Sequence, residues 1–345
     1  MTTIQECEST IKDLVVHGKG ILAADESTST IAKRLATIHV ESTEENRRAY
    51  REVLLTTPKL SEFISGVILY EETLYQKTKD GKLVSDILKK QGIVPGIKVD
   101  KGLFPLANTP DEKITEGLDG LGERLVKYKQ AGARFAKWRA VYSISANTPS
   151  CLAVSANAEA LADYAAVCQS YSIVPIVEPE VLLDGNHTIE RCFEVTMWVL
   201  REVFHALHTH KVVLEHMILK PSMVVSGKDC PQKASVHDVA KQTIEALRRT
   251  VPAAVPSINF LSGGQIPEEA TVHLQAMNAL GQQPWQVSFS YGRALQDPAL
   301  KAWAGKEENT AAAQKALYKR AKLNGMAAMG KYSEKMEKEI EGKLF

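Results

Sequence analysis

Eight short runs rich in β-branched and apolar residues recur along the chain, each followed by turn residues and then a longer helical pattern. They span Ile21–Asp25, Phe63–Tyr70, Val94–Asp100, Arg134–Val141, Ile173–Glu178, Val212–Lys220, Ser257–Ser262 and Trp285–Tyr291. Most are near-continuous rather than alternating, as in strands of a parallel sheet buried on both faces. Amphipathic helical patterns lie between them at Gly120–Ala131, Asn157–Tyr171, His187–His210, Val236–Thr250 and Pro267–Leu280. Ser235 and Asn157 are N-cap candidates, and Glu268 and Glu269 stand in a first turn that favours negative charge. The alternation predicts an α/β fold of right-handed βαβ units. Eight repeats favour a closed (β/α)8 TIM barrel over a doubly wound open sheet, and no GxGxxG follows the first strand.

An ordinary barrel takes about 250 residues, so the surplus in this chain of 345 belongs at the ends and in insertions. Ile4–Val16 can form one extra helix and Glu307–Leu323 another. No linker divides the chain. Residues 1–345 are therefore expected as a single barrel domain, with an N-terminal helical extension over 1–19 and a C-terminal tail over 324–345.

Composition excludes several classes. Charges nearly cancel at a formal +1, which leaves no basic field for nucleic acid. No apolar run approaches the roughly 20 residues needed to span a bilayer, and the first residues lack a signal pattern. A cytoplasmic protein is expected, with no nucleic-acid or membrane partner. Five scattered cysteines without CxxC spacing suggest reduced thiols and no zinc site.

In a barrel of this kind the site lies at the C-terminal ends of the strands. The polar residues there are AADES (Asp25, Glu26, Ser27), GIKVDKG, FAKWR, IVEPE and ILKPS. Alternation puts Lys98 with Asp100, Lys137 with Arg139, and Glu178 with Glu180 on common faces. Pro179 and Pro221 favour extended backbone at Glu178 and Lys220. Taken singly, each charge could belong to a structural ion pair, and Lys220 could snorkel at its strand end. Taken together, lysines and carboxylates converging at successive strand ends point to chemistry. A lysine desolvated by apolar walls and crowded by cations has a lowered pKa and exposes a neutral amine. Such an amine attacks a carbonyl, and a nearby carboxylate moves the protons of Schiff-base formation and carbon–carbon cleavage. Lys220 is the best candidate nucleophile, and Lys137 reads more as an electrostatic station.

FLSGGQ and FSYGRAL close strands seven and eight with Gly263, Gly264 and Gly292 beside Arg293. The Gly263–Gly264 pair could be only a turn, but these are the loops that bind phosphate in such barrels. Ser27, Thr30 and Lys98 stand across the mouth, where a second phosphate could bind.

In this order, GKGILAADEST, GIKVDKG, GLDGL, GARFAKWR, IVPIVEPE, LKPSMV, ALRRTVP, FLSGGQ and FSYGRALQ resemble the class I fructose-1,6-bisphosphate aldolases. The resemblance covers roughly Gly18 to Lys331. It implies a homotetrameric barrel of glycolysis and gluconeogenesis that reversibly cleaves fructose 1,6-bisphosphate into dihydroxyacetone phosphate and glyceraldehyde 3-phosphate, without metal or other cofactor. By motif position it implies Lys220 as the Schiff-base lysine and Glu178 as general acid/base, with Glu180 ordering the lysine. It further implies Asp25 at the substrate C4 hydroxyl and Lys137 as the electrostatic lysine, with Arg139 adjacent. The ketose-side phosphate falls on Ser262, Gly263, Gly292 and Arg293, and the aldehyde-side phosphate on Ser27, Thr30 and Lys98.

Some positions depart from the pattern. LEHM replaces the usual LEG, placing His216 where a small residue is common, and Ser222 replaces an asparagine after KP. Many family members end in a tyrosine that assists proton transfer, whereas this chain ends Lys343–Leu344–Phe345 and Tyr332 lies early. Without that hydroxyl, bisphosphate cleavage is slower or water or Glu178 carries the proton; if the tail is idle, truncation after Met329 should keep most activity. The rival readings are an aldolase for sedoheptulose bisphosphate or monophosphate ketoses, and a scaffold that binds cytoskeletal protein as some family members do.

Overall fold

The computed structural model describes residues 2–339. Eight parallel strands close into a barrel: β1 (Gly20–Ala24), β2 (Ile64–Leu69), β3 (Val94–Lys98), β4 (Phe135–Tyr142), β5 (Val174–Val181), β6 (Ile218–Leu219), β7 (Ser257–Phe260) and β8 (Gln286–Tyr291). Each pairs with its neighbour in sequence, and β8 returns to β1. Their buried, near-continuous apolar sequences are explained by helices packing outside and side chains filling the lumen.

The lumen has two layers. Its lower layer holds Ile21 and Ala23 of β1, Ile68 of β2, Val94 of β3, Phe135 of β4, Val174 and Ile176 of β5 and Ile218 of β6. The helix Thr3–Leu14 supplies Cys7 and Leu14 to the same cluster. That extra N-terminal helix therefore plugs the floor of the barrel. Phe135 crosses the lumen so closely to β3 that a Cβ at Gly96 would lie 2.3 Å from its ring. Two residues further along each of several strands, the period-two alternation replaces these apolar side chains with charged ones. Examples are Phe135 to Lys137, Ile176 to Glu178, Ile218 to Lys220 and Ala23 to Asp25.

Several expected boundaries move. The helix expected from Asn157 begins at Cys151, with Ser150 Oγ accepting from the Ala153 N–H at 3.1 Å. Asn157 is buried in mid-helix, where its Nδ2 donates to the Lys113 and Ala153 carbonyls at 2.9 and 3.0 Å. The helix expected from His187 begins at Ile189, capped by Thr188. The run Val212–Lys220 yields only a two-residue strand, because a 3-10 turn occupies Leu214–His216 before it. Ser235 caps its helix as expected.

Two further differences concern an insertion and the C-terminal region. A two-stranded antiparallel hairpin, Gly102–Pro105 with Lys113–Glu116, stands between β3 and β4. The last long helix runs Thr310–Ala328, past the expected end at Leu323. Beyond it, the Tyr332 N–H donates to Gln275 at 2.8 Å, and Glu337 pairs with buried Arg320 at 2.6 Å. Truncation after Met329 would remove these contacts. The terminal residues Lys343, Leu344 and Phe345 lie outside the described residues.

Candidate active site

A cavity of about 410 Å3 opens at the C-terminal ends of the strands. Its walls include Lys220, Glu178, Asp25, Lys137, Glu180, Ser27, Thr30, Lys98, Arg139, Ser262, Gly263, Gly292 and Arg293, so every residue to which the resemblance gave a role meets there, whereas Asp100 and Gly264 do not line it.

The strands set the geometry. Pairing of β4 with β5 puts Arg139 beside Glu178 and Val141 beside Glu180, and pairing of β3 with β4 puts Lys98 beside Lys137. Lys220 directly follows β6, and its N–H donates to the Val177 carbonyl at 2.8 Å, which prolongs the ladder by one residue. Pro221 then ends the extended segment.

Buried charges form one contiguous chain across the lumen. Lys220 Nζ lies 3.1 Å from Glu178 Oε1, and Lys137 Nζ lies 2.7 Å from Glu178 Oε2. Lys137 Nζ also donates to Asp25 Oδ2 at 3.1 Å. Glu178 therefore bridges both lysines, and Lys137 bridges both carboxylates. Glu180, expected to order Lys220, is held by Arg139 Nε at 2.5 Å. Lys98 donates to Asp100 Oδ1 at 2.5 Å and to the Asp100 carbonyl at 2.9 Å, and of that pair only Lys98 lines the cavity.

Burial governs the protonation of these groups. It pushes the Lys137 ammonium down to about 8, opposed by Asp25 and reinforced by Lys220. It lowers Lys220 as well, against the pull of Asp25 and Glu180. Burial alone would raise Asp25, but the charges of Lys137 and Lys220 outweigh it and hold the carboxyl below the usual range. Lys137 has two carboxylates in contact and Lys220 has one. Each carboxylate in contact favours the charged form of the lysine it touches, against the effect of burial.

The rim is built for anions. Gly263 and Gly264 take φ of +57° and +95°, a turn that side chains resist. The Arg293 guanidinium lies beside Gly264, where a Cβ would stand 3.3 Å from its Nη2. Gly292 is the N-cap of the helix Arg293–Trp303 and provides no side-chain cap, so the first N–H groups stay open to a ligand. Opposite, Ser27 Oγ lies 3.0 Å from Thr30 Oγ1 and accepts from the Thr30 N–H at 3.4 Å, capping the helix Thr28–Ala36. Lys33 and Arg34, on that helix, also line the cavity and were missed in the sequence. Helical spacing from Ser27 was the available signal. Arg34 is held by Glu26.

His216 is buried, with Nε2 4.0 Å from Glu8. Ser222 donates to the Val181 carbonyl at 2.8 Å. Neither lines the cavity.

Residues 6–345 match the family described as Fructose-bisphosphate aldolase class-I. The chain belongs to this family. It is 56% identical over 331 residues to a probable fructose-bisphosphate aldolase class 1 of Xanthomonas axonopodis pv. citri, a match covering 96% of this chain and 99% of that protein. It is 59% identical over 316 residues to the cytosolic fructose-bisphosphate aldolase 4 of Arabidopsis thaliana, covering 91% and 80%. Among solved structures, the fructose-bisphosphate aldolase of Plasmodium falciparum, in ternary complex with TRAP and a small-molecule inhibitor, superposes with a TM-score of 0.95. That match has 51% identity over 96% of each chain. As a class I aldolase the protein is a carbon–carbon lyase. It reversibly cleaves fructose 1,6-bisphosphate to dihydroxyacetone phosphate and glyceraldehyde 3-phosphate through a lysine Schiff base.

Proposed function

We propose that Lys220 is the nucleophile of this reaction and that the observation carrying the assignment is the charge chain Lys220–Glu178–Lys137–Asp25. The neutral Lys220 amine attacks the ketose carbonyl, Glu178 protonates the departing hydroxyl, and water leaves as the iminium forms. Asp25 takes the proton of the C4 hydroxyl. The C3–C4 bond then breaks, the aldehyde departs, and the bond's electron pair moves into the iminium to give an enamine. Protonation of the enamine at C3 and hydrolysis return the free lysine. Lys137 stays charged and stabilises negative charge on both flanking carboxylates. Arg139 holds Glu180, whose field acts on Lys220 without contact.

The ketose-side phosphate binds Ser262, Gly263, Gly292 and Arg293. The aldehyde-side phosphate binds Ser27, Thr30 and Lys98, with Lys98 exchanging Asp100 for the anion. Burial of Lys220 beside a single carboxylate supports the nucleophile, and the open helix N-terminus supports the phosphate. Borohydride with dihydroxyacetone phosphate should label Lys220 alone, as mapped by mass spectrometry. Labelling of Lys137, or none in folded protein, would overturn the assignment.

The same reading takes residues 1–345 as one barrel domain working as a cytoplasmic homotetramer. The cytosolic naming of similar Arabidopsis proteins supports the location, and the tetramer rests on the family resemblance.

A further inference from the structure

Beyond Leu22 the pairing of β1 with β8 stops, and beyond Ala24 its pairing with β2 stops. The carbonyls that follow are buried at the strand end and need donors from elsewhere. Two flanking helices supply them. Arg51, on the helix Glu44–Leu55, donates to the Ala24 carbonyl and, through Nη2, to the Glu26 carbonyl at 3.2 Å and to Glu26 Oε2 at 2.8 Å. Gln296, on the helix Arg293–Trp303, donates through Nε2 to the Ala23 carbonyl at 2.5 Å and to Glu26 Oε1 at 2.8 Å. Tyr50 donates in turn to Gln296 Oε1 at 3.1 Å, which fixes the orientation of the amide.

All three side chains are buried, and none lines the cavity. A buried guanidinium is costly to desolvate, and the forked geometry that meets three acceptors is specific to arginine. The carbonyls it holds belong to the residues on either side of Asp25, Ala24 and Glu26. With the peptide planes 24–25 and 26–27 both pinned, the single plane between them has little freedom, which restricts the backbone torsions of Asp25, whose carboxylate lies 3.1 Å from Lys137 Nζ.

We infer that Arg51 and Gln296 are positioning residues that set the aim of Asp25. They act through the backbone of β1 and touch neither substrate nor lysine. This rests on the role given to Asp25 above.

The test is a double-mutant cycle on the full chain with Arg51→Lys and Asp25→Asn. It is read as the single-turnover cleavage rate of fructose 1,6-bisphosphate per site that borohydride can trap with dihydroxyacetone phosphate. Normalising to trapped sites removes losses caused by misfolding, and thermal melting reports stability separately. Arg51→Lys should slow cleavage per trapped site by about ten- to a hundredfold, the scale of a small misplacement of a reacting group, with KM little changed. In the Asp25→Asn background the same substitution should add no further loss. If the two losses multiply, Arg51 acts independently of Asp25 and the inference fails. If Asp25→Asn alone leaves the rate intact, the role of Asp25 itself fails, a different result. Should Arg51→Lys not fold, Gln296→Met carries the same cycle with the same expected outcomes.

Discussion

Lys137 is the residue on which the charges of the site converge, since it contacts both Asp25 and Glu178 and faces Lys220. Burial lowers its proton affinity to about 8, and its proposed role requires the ammonium. On that role, activity is expected below that pH and falls as pH rises through it. We expect kcat to decline as pH rises through about 8, and Lys137→Arg to shift this limb upward because a guanidinium keeps its proton. A limb that stays put in Lys137→Arg would belong to another group. Lys220→Ala should abolish borohydride labelling while leaving the fold by circular dichroism, and labelling that persists would place the Schiff base elsewhere. The charges on the strands were legible in the sequence because alternation alone puts Lys137 and Arg139, or Glu178 and Glu180, on one face. Arg51 and Gln296 were not legible. They reach the backbone around Asp25 from helices distant from it in sequence, and nothing local marks a guanidinium that will meet a strand carbonyl.

At the scale of elements, the strands and most helices follow from hydrophobic period and turn residues, and the errors are informative. Asn157 looked like a cap because asparagine favours helix starts, but its amide answers the Lys113 carbonyl of the hairpin, a partner that only the tertiary fold supplies. The strand before Lys220 is short because a 3-10 turn takes up the preceding apolar residues, which periodicity cannot distinguish from strand. The packing of elements yields two stability predictions. Gly96→Ala should destabilise by about 1–3 kcal/mol through overpacking against Phe135, and Phe135→Leu should restore part of that loss in the double variant. Leu14→Ala, in the plugging helix, should cost about 2–5 kcal/mol. Urea denaturation measures both, and an unchanged midpoint for Leu14→Ala would mean that the plug contributes little to the barrel.

For the whole molecule, the barrel is expected to assemble as a tetramer, so sedimentation should give about four times 37.9 kDa, and a monomer at working concentration would overturn this. Assembly was not legible except through resemblance, because exposed apolar residues such as Val126 and Val213 do not by themselves name a partner. The closure of the barrel was legible from the number of repeats. The two-layer lumen has a consequence for how such a protein can diversify. The side chains proposed to react stand at or just beyond strand ends whose next inward residues hold the barrel shut, whereas those proposed to face phosphate, Lys98 of β3 apart, sit on loops and helix starts outside that packing. Chemistry and substrate range are thus written in separately mutable parts of the chain. A lineage can change which sugar it accepts by altering its loops, while the bond-breaking apparatus is inherited together with the fold.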